Sequence, residues 1–323
     1  MLNKFPLPLP NKAGWPWTEE SPLLPNTMPN GKSWPKISIV TPSYNQGEFL
    51  EETIRSVLLQ NYPNLEYIII DGGSTDNSIE IIKKYERHLS CWVSEKDNGQ
   101  AAAIRKGFEN SSGEILAWIN SDDYYLPSAF RFIVEKFRKN KEVNLLMGGC
   151  VYIRENGRII TKNYGIKQTY KNLLLVGMFS SQPASFWKRT AYTEVGGIDV
   201  SLAFCMDYDL ILRIARTGAL YFTSKMLAVY RYHGATKSST MQSILREEDI
   251  AIGQKYGRFL FSDEFIQKIR KYSWNKYDLK QRIKFLLEIF IDPRYFLVSF
   301  GNSILEMLQI KNKINMVRKR FFC

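Results

Sequence analysis

Between Lys36 and Asp123 lie four short apolar runs, each closing on a polar turn, and they constrain the chain more than any other feature. KISIVTPSY (Lys36–Tyr44), LEYIIIDGGSTD (Leu65–Asp76), CWVSEKD (Cys91–Asp97) and EILAWINSDD (Glu114–Asp123) read as buried strands. The stretches between them read as helices: Gly47–Gln60, with apolar Leu50, Ile54, Val57 and Leu58 at helical spacing, then Asn77–Arg87 and Gly99–Ser111. Strands alternating with helices make βαβ units, a parallel sheet and right-handed crossovers. Ligands in such sheets bind beyond the carboxyl ends of the strands. The polar clusters fall there: Thr41–Asn45, Asp71–Asp76, Asp97–Gln100 and Ser121–Asp123. Each strand delivers one of them to a common rim.

The rest of the chain divides around this unit. Residues 1–35 carry eight prolines from Pro6 to Pro35, which deny them helix or sheet. Trp15, Trp17 and Trp34 suggest an arm laid along the domain surface. After the rim, a helix is expected over Phe130–Lys141 and a strand over Leu145–Ile153. AsnGly then signals a hairpin through Glu155–Arg158 into Ile159–Tyr164. A helix over Tyr170–Val176, a strand over Ser181–Arg189, a helix over Met206–Gly218 and a strand over Met226–His233 follow. The pattern beyond Thr240 is helical. The expected division is an arm (1–35), a catalytic domain (36–239) and a helical basic C-terminal region (240–323).

Charge separates these parts. The net charge is +12, and from Lys255 onward fifteen Lys and Arg face only six acids. A basic tail favours an anionic partner, whereas the near-neutral remainder argues against a nucleic-acid-binding core. Leu279–Phe300 mixes Leu, Ile and Phe with basic residues and is interrupted by Pro293. It is no membrane span, but it suits an anionic membrane interface; a plain helical bundle packed on the catalytic domain is the competing reading. Cys91, Cys150, Cys205 and Cys323 form no CxxC pair, so they read as reduced thiols of a cytoplasmic protein. The proline-broken N-terminus is unlike a signal peptide, and no run of 18 apolar residues occurs. The expected location is cytoplasmic, at the periphery of the inner membrane face.

The rim residues carry the chemistry. Two adjacent acids, Asp122 and Asp123, at the end of an apolar strand are costly without compensation. Mn2+ or Mg2+ would compensate them and would also take phosphate oxygens; the plainer reading is a pair of capping acids before Pro127. Asp71 precedes Gly72 and Gly73, whose backbone can turn tightly against a ligand. It could accept a base N–H or a ribose hydroxyl, or merely cap the turn. Tyr44 could stack on a nucleobase or pack on the surface. Asp207 and Asp209 begin a helix, where compensation of the helix dipole is a sufficient reason for an acid. His233 ends a strand and could equally be a satisfied structural histidine. Neither a GxGxxG fingerprint nor a GxxxxGK[ST] loop is present.

TPSYNQ (Thr41–Gln46), DGGSTD (Asp71–Asp76), SEKDNGQAAAIRKG (Ser94–Gly107), GEILAWINSDD (Gly113–Asp123), GGID (Gly196–Asp199) and MDYDLILR (Met206–Arg213) occur in that order. As a set they resemble the family 2 glycosyltransferases of GT-A fold, over roughly Pro35 to His233. The resemblance implies a Rossmann-like, mostly parallel α/β sheet flanked by helices. It implies an inverting, metal-assisted enzyme that uses a nucleotide-sugar donor, with UDP the expected carrier, and a glycan or lipid-linked acceptor. Thr41, Tyr44 and Asp71 would hold the nucleoside base and Asp97 would complete the nucleoside pocket, with Pro42 and Gln100 beside them; Arg105, which departs from the family pattern, could contact the nucleotide directly. Asp122 would face the ribose, Asp123 and His233 would serve the metal and diphosphate, and Asp207 would be the general base.

Departures from the family pattern fall at Ala102 and Arg105, where relatives carry Asp and Asn, and at Met206, where an acid often precedes the catalytic Asp. They bear on donor choice and leave an inactive, nucleotide-binding relative as one alternative. A sugar-nucleotide nucleotidyltransferase is another, although ThrProSerTyrAsnGln is not the Gly-rich basic loop such an enzyme needs after its first strand.

Overall fold

The computed structural model describes residues 1–8 and 11–258. Met1–Ile252 forms one compact unit, and a second unit begins at Gly253. The first unit therefore extends past the expected boundary at 239. The expected amphiphilic stretch Leu279–Phe300 and the basic terminus lie outside the described residues.

Among the described residues nine strands make one sheet: β1 (Ile37–Ser43), β2 (Leu65–Asp71), β3 (Cys91–Ser94), β4 (Ile115–Trp118), β5 (Tyr124–Tyr125), β6 (Val143–Arg154), β7 (Ile159–Asn163), β8 (Ser185–Lys188) and β9 (Ala219–Tyr232). Their order is β3-β2-β1-β4-β8-β6-β9-β5, with β7 on the side of β6. The β3-β2-β1-β4 half is all parallel, as the alternation predicts. Beyond β4 the directions mix: β8 is antiparallel to β4 and β6, while β9 runs parallel to β6. The result is a mixed sheet flanked by helices.

The pleat explains how one short strand serves two cores. Successive side chains on a strand point to opposite faces. Ile37 and Ile39, with Tyr67, Ile69, Ile115 and Ala117, join the cluster that holds α1 (Gly47–Leu58), α2 (Ser78–Tyr85) and α4 (Ala129–Lys139). Val40 points the other way, against α3 (Gln100–Glu109). There a Cβ on Gly107 would lie 2.4 Å from Val40 Cγ1, so the glycine permits the helix to settle on the strand. Ile37, Ile39 and Val40 are wholly buried, each worth roughly 1.5–3 kcal/mol of hydrophobic burial. On the α3 face Phe108 stacks edge-on with Trp118 and Trp187.

The arm is part of this body. Phe5, Trp17, Met28 and Trp34 are buried. Arg55, on α1 and only 1% exposed, gathers it. Its guanidinium donates to the carbonyls of Pro6 (3.1 Å), Pro16 (3.0 Å) and Trp17 (2.8 Å) and to the Tyr85 hydroxyl (3.0 Å). A buried charge persists only when its donors are met in this way.

Most remaining elements follow the sequence, but β9 begins at Ala219, well before the strand expected over Met226–His233. The AsnGly hairpin forms, with Gly157 at φ +81° and the Arg154 amide bonded to the Arg158 carbonyl at 2.8 Å. The expected strand over Ser181–Arg189 begins as a 3-10 turn and becomes extended only at Ser185. α5 (Tyr170–Val176), α6 (Arg189–Glu194) and α7 (Met206–Thr217) precede β9; α8 (Lys237–Thr240) and α9 (Gln242–Lys255) follow it. Gly218 ends α7 for a reason the sequence does not show. Its φ of −147° is extended rather than left-handed, and a Cβ there would lie 2.0 Å from the Asn144 side chain.

Candidate active site

β1 and β2 end side by side, with Ser43 paired to Asp71 across the register. Asp71 is fully buried and accepts four hydrogen bonds: from the amides of Gly73 (3.0 Å) and Ser74 (2.8 Å) and the hydroxyls of Ser74 (2.6 Å) and Ser94 (2.8 Å). It therefore shapes the turn it belongs to. Asn45 ties the two loops together: its amide donates to Ser74 Oγ and its Oδ1 accepts from the Thr75 amide, both at 2.8 Å. Asp97 lies against this turn, where a Cβ on Gly72 would sit 3.0 Å from Asp97 Oδ2. Its Oδ1 caps Gly99, just before α3, at 2.8 Å. Tyr44 projects from the rim at 62% exposure. Ser43 Oγ is buried with no hydrogen-bond partner.

Thr41 has the parity of Ile39, so its side chain faces the α1 core. Its hydroxyl meets the Tyr67 hydroxyl at 3.0 Å, and both residues are buried. Pro42 is buried beside it. Arg105 is half exposed and pairs with Glu109 one turn further along α3, which directs it away from the strand ends. Gln100, by contrast, opens α3 at the rim and donates to Asn120 Oδ1 at 2.7 Å.

Asn120 leads into the acidic turn, its Nδ2 3.5 Å from Asp123 Oδ2. Asp123 is 1% exposed, and its Oδ1 accepts the Arg231 amide of β9 at 2.9 Å. Burial, reinforced by the neighbouring Asp122 charge, holds its carboxyl well above the usual carboxylate range. Asp122 Oδ2 lies 3.1 Å from His233 Nε2. Arg231 seals the back of the turn: Nε donates to the Asp122 carbonyl (3.0 Å), Nη2 pairs with Glu52 (2.9 Å), and its guanidinium lies over the Phe49 ring at 4.8 Å. Thr53 Oγ1, on α1, is within hydrogen-bond distance of the Ser121 and Asp123 carbonyls, at 2.9 and 2.7 Å.

No three His, Cys, Asp or Glu side chains among the described residues converge on a common cation position. The donor set still fits a divalent ion that completes its shell elsewhere. Asp123 carries an under-compensated buried carboxylate beside a second acid, which a hard cation would neutralise. His233 Nε2 is engaged with Asp122, so it would reach a metal only by releasing that contact.

Asp207 stands in the first turn of α7, partly open to solvent. Burial pushes its pKa up to about 6, against backbone hydrogen bonds that lower it; the Glu248 charge raises it further and Lys237 opposes that. Lys237, on α8, also feels the Asp97 charge. Asp209, two residues on, is a structural acid, fully buried and ion-paired with Arg213 at 2.6 Å. Glu52, Arg231, Lys237 and Glu248 escape a reading of the sequence. Arg231 alone had a signal, its place beside His233 in TyrArgTyrHis.

Residues 38–196 match the model of glycosyl transferase family 2, and over them the chain belongs to that family. The chain is 27% identical to an uncharacterised glycosyltransferase of Rickettsia typhi over 66% of its own length and 69% of the relative's. It is also 27% identical to the chondroitin synthase of Pasteurella multocida, over 80% of this chain but only 28% of that much longer protein. Among solved structures, Staphylococcus aureus TarS bound to UDP-GlcNAc superposes with a TM-score of 0.55 at 16% identity, covering 79% of each chain. The Pyrobaculum calidifontis mannosyltransferase bound to GDP-Man and Mn2+ gives 0.52 at 16% identity, over 92% of this chain and 84% of that one. These likenesses concern the fold. The chain is a glycosyltransferase of GT-A architecture.

Proposed function

We propose that the chain transfers a sugar from a nucleoside-diphosphate donor, UDP-linked in the first instance, to a glycan or lipid-linked acceptor with inversion, in the building of a polysaccharide. The observation that carries this reading is Asp207: a half-buried carboxylate at a helix start, with its pKa pushed up to about 6 by burial. Such a group is ionised at neutral pH yet a better base than an ordinary Asp. It would take the acceptor hydroxyl's proton as that oxygen bonds to the anomeric carbon. On the opposite side the bond to the diphosphate breaks, and the nucleoside diphosphate departs.

The rim supports the donor in this reading. Tyr44 stacks on the base, and the turn ordered by Asp71 presents its backbone, with Asp97 and Gln100 alongside. Thr41 and Pro42 form the floor from behind; Arg105 would have to leave Glu109 to take part. Asp122 faces the ribose. Asp123 holds Mn2+ or Mg2+, with His233 joining once freed from Asp122. The cation would neutralise charge on the departing diphosphate. The bound Mn2+ and nucleotide sugars of the structural relatives support this assignment.

The acceptor side is proposed to meet an anionic membrane surface on the cytoplasmic face through the basic residues beyond Lys255. No helix among the described residues is long and apolar enough to cross a membrane. A nucleotide-sugar hydrolysis panel with Mn2+ tests the central reading. Cleavage of one donor, lost in Asp207→Asn and Asp123→Ala, is the expected result; cleavage of none, or cleavage indifferent to both changes, overturns it.

A further inference from the structure

Cys205, the residue at the N-cap of α7, offers no side-chain hydrogen bond to the helix. The first amides of a helix need acceptors, normally from that position. The segment leading into α7 is held from α9. Glu248 receives the amides of Ala203 (2.6 Å), Phe204 (2.9 Å) and Cys205 (2.7 Å) on its two oxygens. Lys237 donates from α8 to the Ala203 carbonyl at 2.9 Å. The Ala203 residue is thus held at its amide by an anion and at its carbonyl by a cation, and Asp207 begins one residue beyond the braced segment and Met206.

Resting on the reading of Asp207 as the base, we propose that Glu248 and Lys237 are positioning residues that hold the Asp207 carboxylate in place and bias its charge from two helices lying beyond the last strand of the sheet. Two opposite charges brace the same short segment, so neither can be removed without unbalancing the field at Asp207. The charged groups that weigh on Asp207 are Glu248 from α9, a like charge, and Lys237 from α8, an opposite one. Asp97, from the turn before α3, faces Lys237 and tempers it. α5 meets α7 through the Tyr208 hydroxyl, which donates to the Leu173 carbonyl at 2.8 Å. On the α6 side Arg213 is neutralised by Asp209. The arrangement also gives a meaning to Met206. The chain lacks an acid directly before Asp207 but brings a carboxylate to the same neighbourhood from a distant helix.

A purely structural brace and an electrostatic one separate by the sign of the response. Removing the like charge should make Asp207 more acidic; removing the opposite charge should make it less so. The full chain, labelled with carbon-13 at the Asp carboxyl carbons, is titrated by NMR, with Asp207→Asn supplying the assignment. Glu248→Gln keeps one acceptor for the amides and should lower the Asp207 midpoint; Lys237→Met should raise it, each by on the order of one pH unit. Lys237→Arg should restore the wild-type midpoint. Unmoved midpoints, or shifts of the same sign in both variants, overturn the proposal. If Glu248→Gln fails to fold, Lys237→Met and its arginine rescue decide alone. The readout needs no substrate, so failure of the base reading shows separately, as UDP-GlcNAc hydrolysis with Mn2+ that survives Asp207→Asn while the NMR midpoints still move.

Discussion

Asp123 and Asp207 are both held above the ordinary carboxylate range by burial, but their surroundings prepare them for different work. Asp123 is closed off, gripped by a β9 amide and set beside Asp122, a second acid that makes its charge dearer still. Asp207 is only half-buried, and Glu248 and Lys237 weigh on it with opposite signs. Asp123 also has a cation near it, Arg231, but its closest charged neighbour in effect is the acid Asp122. A sealed acid next to another acid is stabilised by a cation that stays. A half-buried acid poised near neutrality can exchange a proton and recover it. Burial alone therefore does not define a role; the degree of access and the balance of neighbouring charges do.

The largest effect that can break this contrast is on turnover. Asp207→Asn should leave UDP binding nearly intact and lower transfer by about 10²–10⁴-fold. Steady-state rates alongside a UDP titration measure both; near-normal turnover would place the base elsewhere. Asp123→Ala should act on the other quantity, weakening Mn2+-dependent UDP affinity by about 100-fold or more. Calorimetric titration with and without Mn2+ checks it, and an unchanged affinity would remove Asp123 from the metal.

The acid-turn site also has a pH signature. Asp123 must give up a proton to bind a cation, so Mn2+ affinity should rise with pH and protons should be released on binding, visible as a dependence of the binding heat on the buffer. An affinity flat from pH 5 to 8 would mean that the cation binds elsewhere. For Asp207 the signature lies in stability. Its folded pKa of about 6 stands above the ordinary 3.8, so the fold binds its proton more tightly than the unfolded chain does. That contribution is complete below pH 3.8 and is lost as pH rises through about 6. Asp207→Asn should therefore melt higher than wild type at pH 7, by on the order of 1 kcal/mol, with the advantage fading toward pH 4. Equal melting curves at both pH values would deny the strain.

The smallest and most separable effect concerns the tail. A chain ending at Arg258 keeps Glu248 and should hydrolyse donor normally while losing salt-sensitive sedimentation with anionic vesicles. A chain ending at Thr240 also loses the Glu248 brace and should be impaired in both. Equal vesicle binding by the full chain and the Arg258 version would leave the tail without a membrane role.

The rim at the ends of the first strands was legible because its information is local. Each polar cluster follows its own strand within a few residues, so alternation and turn chemistry were enough to place Asp71, Asp97, Gln100 and the acidic turn together. Thr41 and Arg105 show the limit of that reading. Both lie in the right motifs, but strand parity turns Thr41 toward Tyr67, and an i,i+4 partner draws Arg105 to Glu109. The Asp207 half was legible only as a motif. Its supports, Lys237 and Glu248, stand far along the chain from it, in helices that the sequence marked merely as helical.

By itself the sequence determined the α/β class, the parallel order of the first strands, the proline-rich arm and the rim on which the acids gather. These depend on periodicity and turn residues, which act over a few positions. Tertiary structure alone decided which acid is sealed and which is half-buried, that Arg55 anchors the arm, and that Glu248 braces the segment leading into the helix that bears Asp207. Those outcomes depend on desolvation and on charges brought close by packing, and both are set by distances that no local pattern encodes.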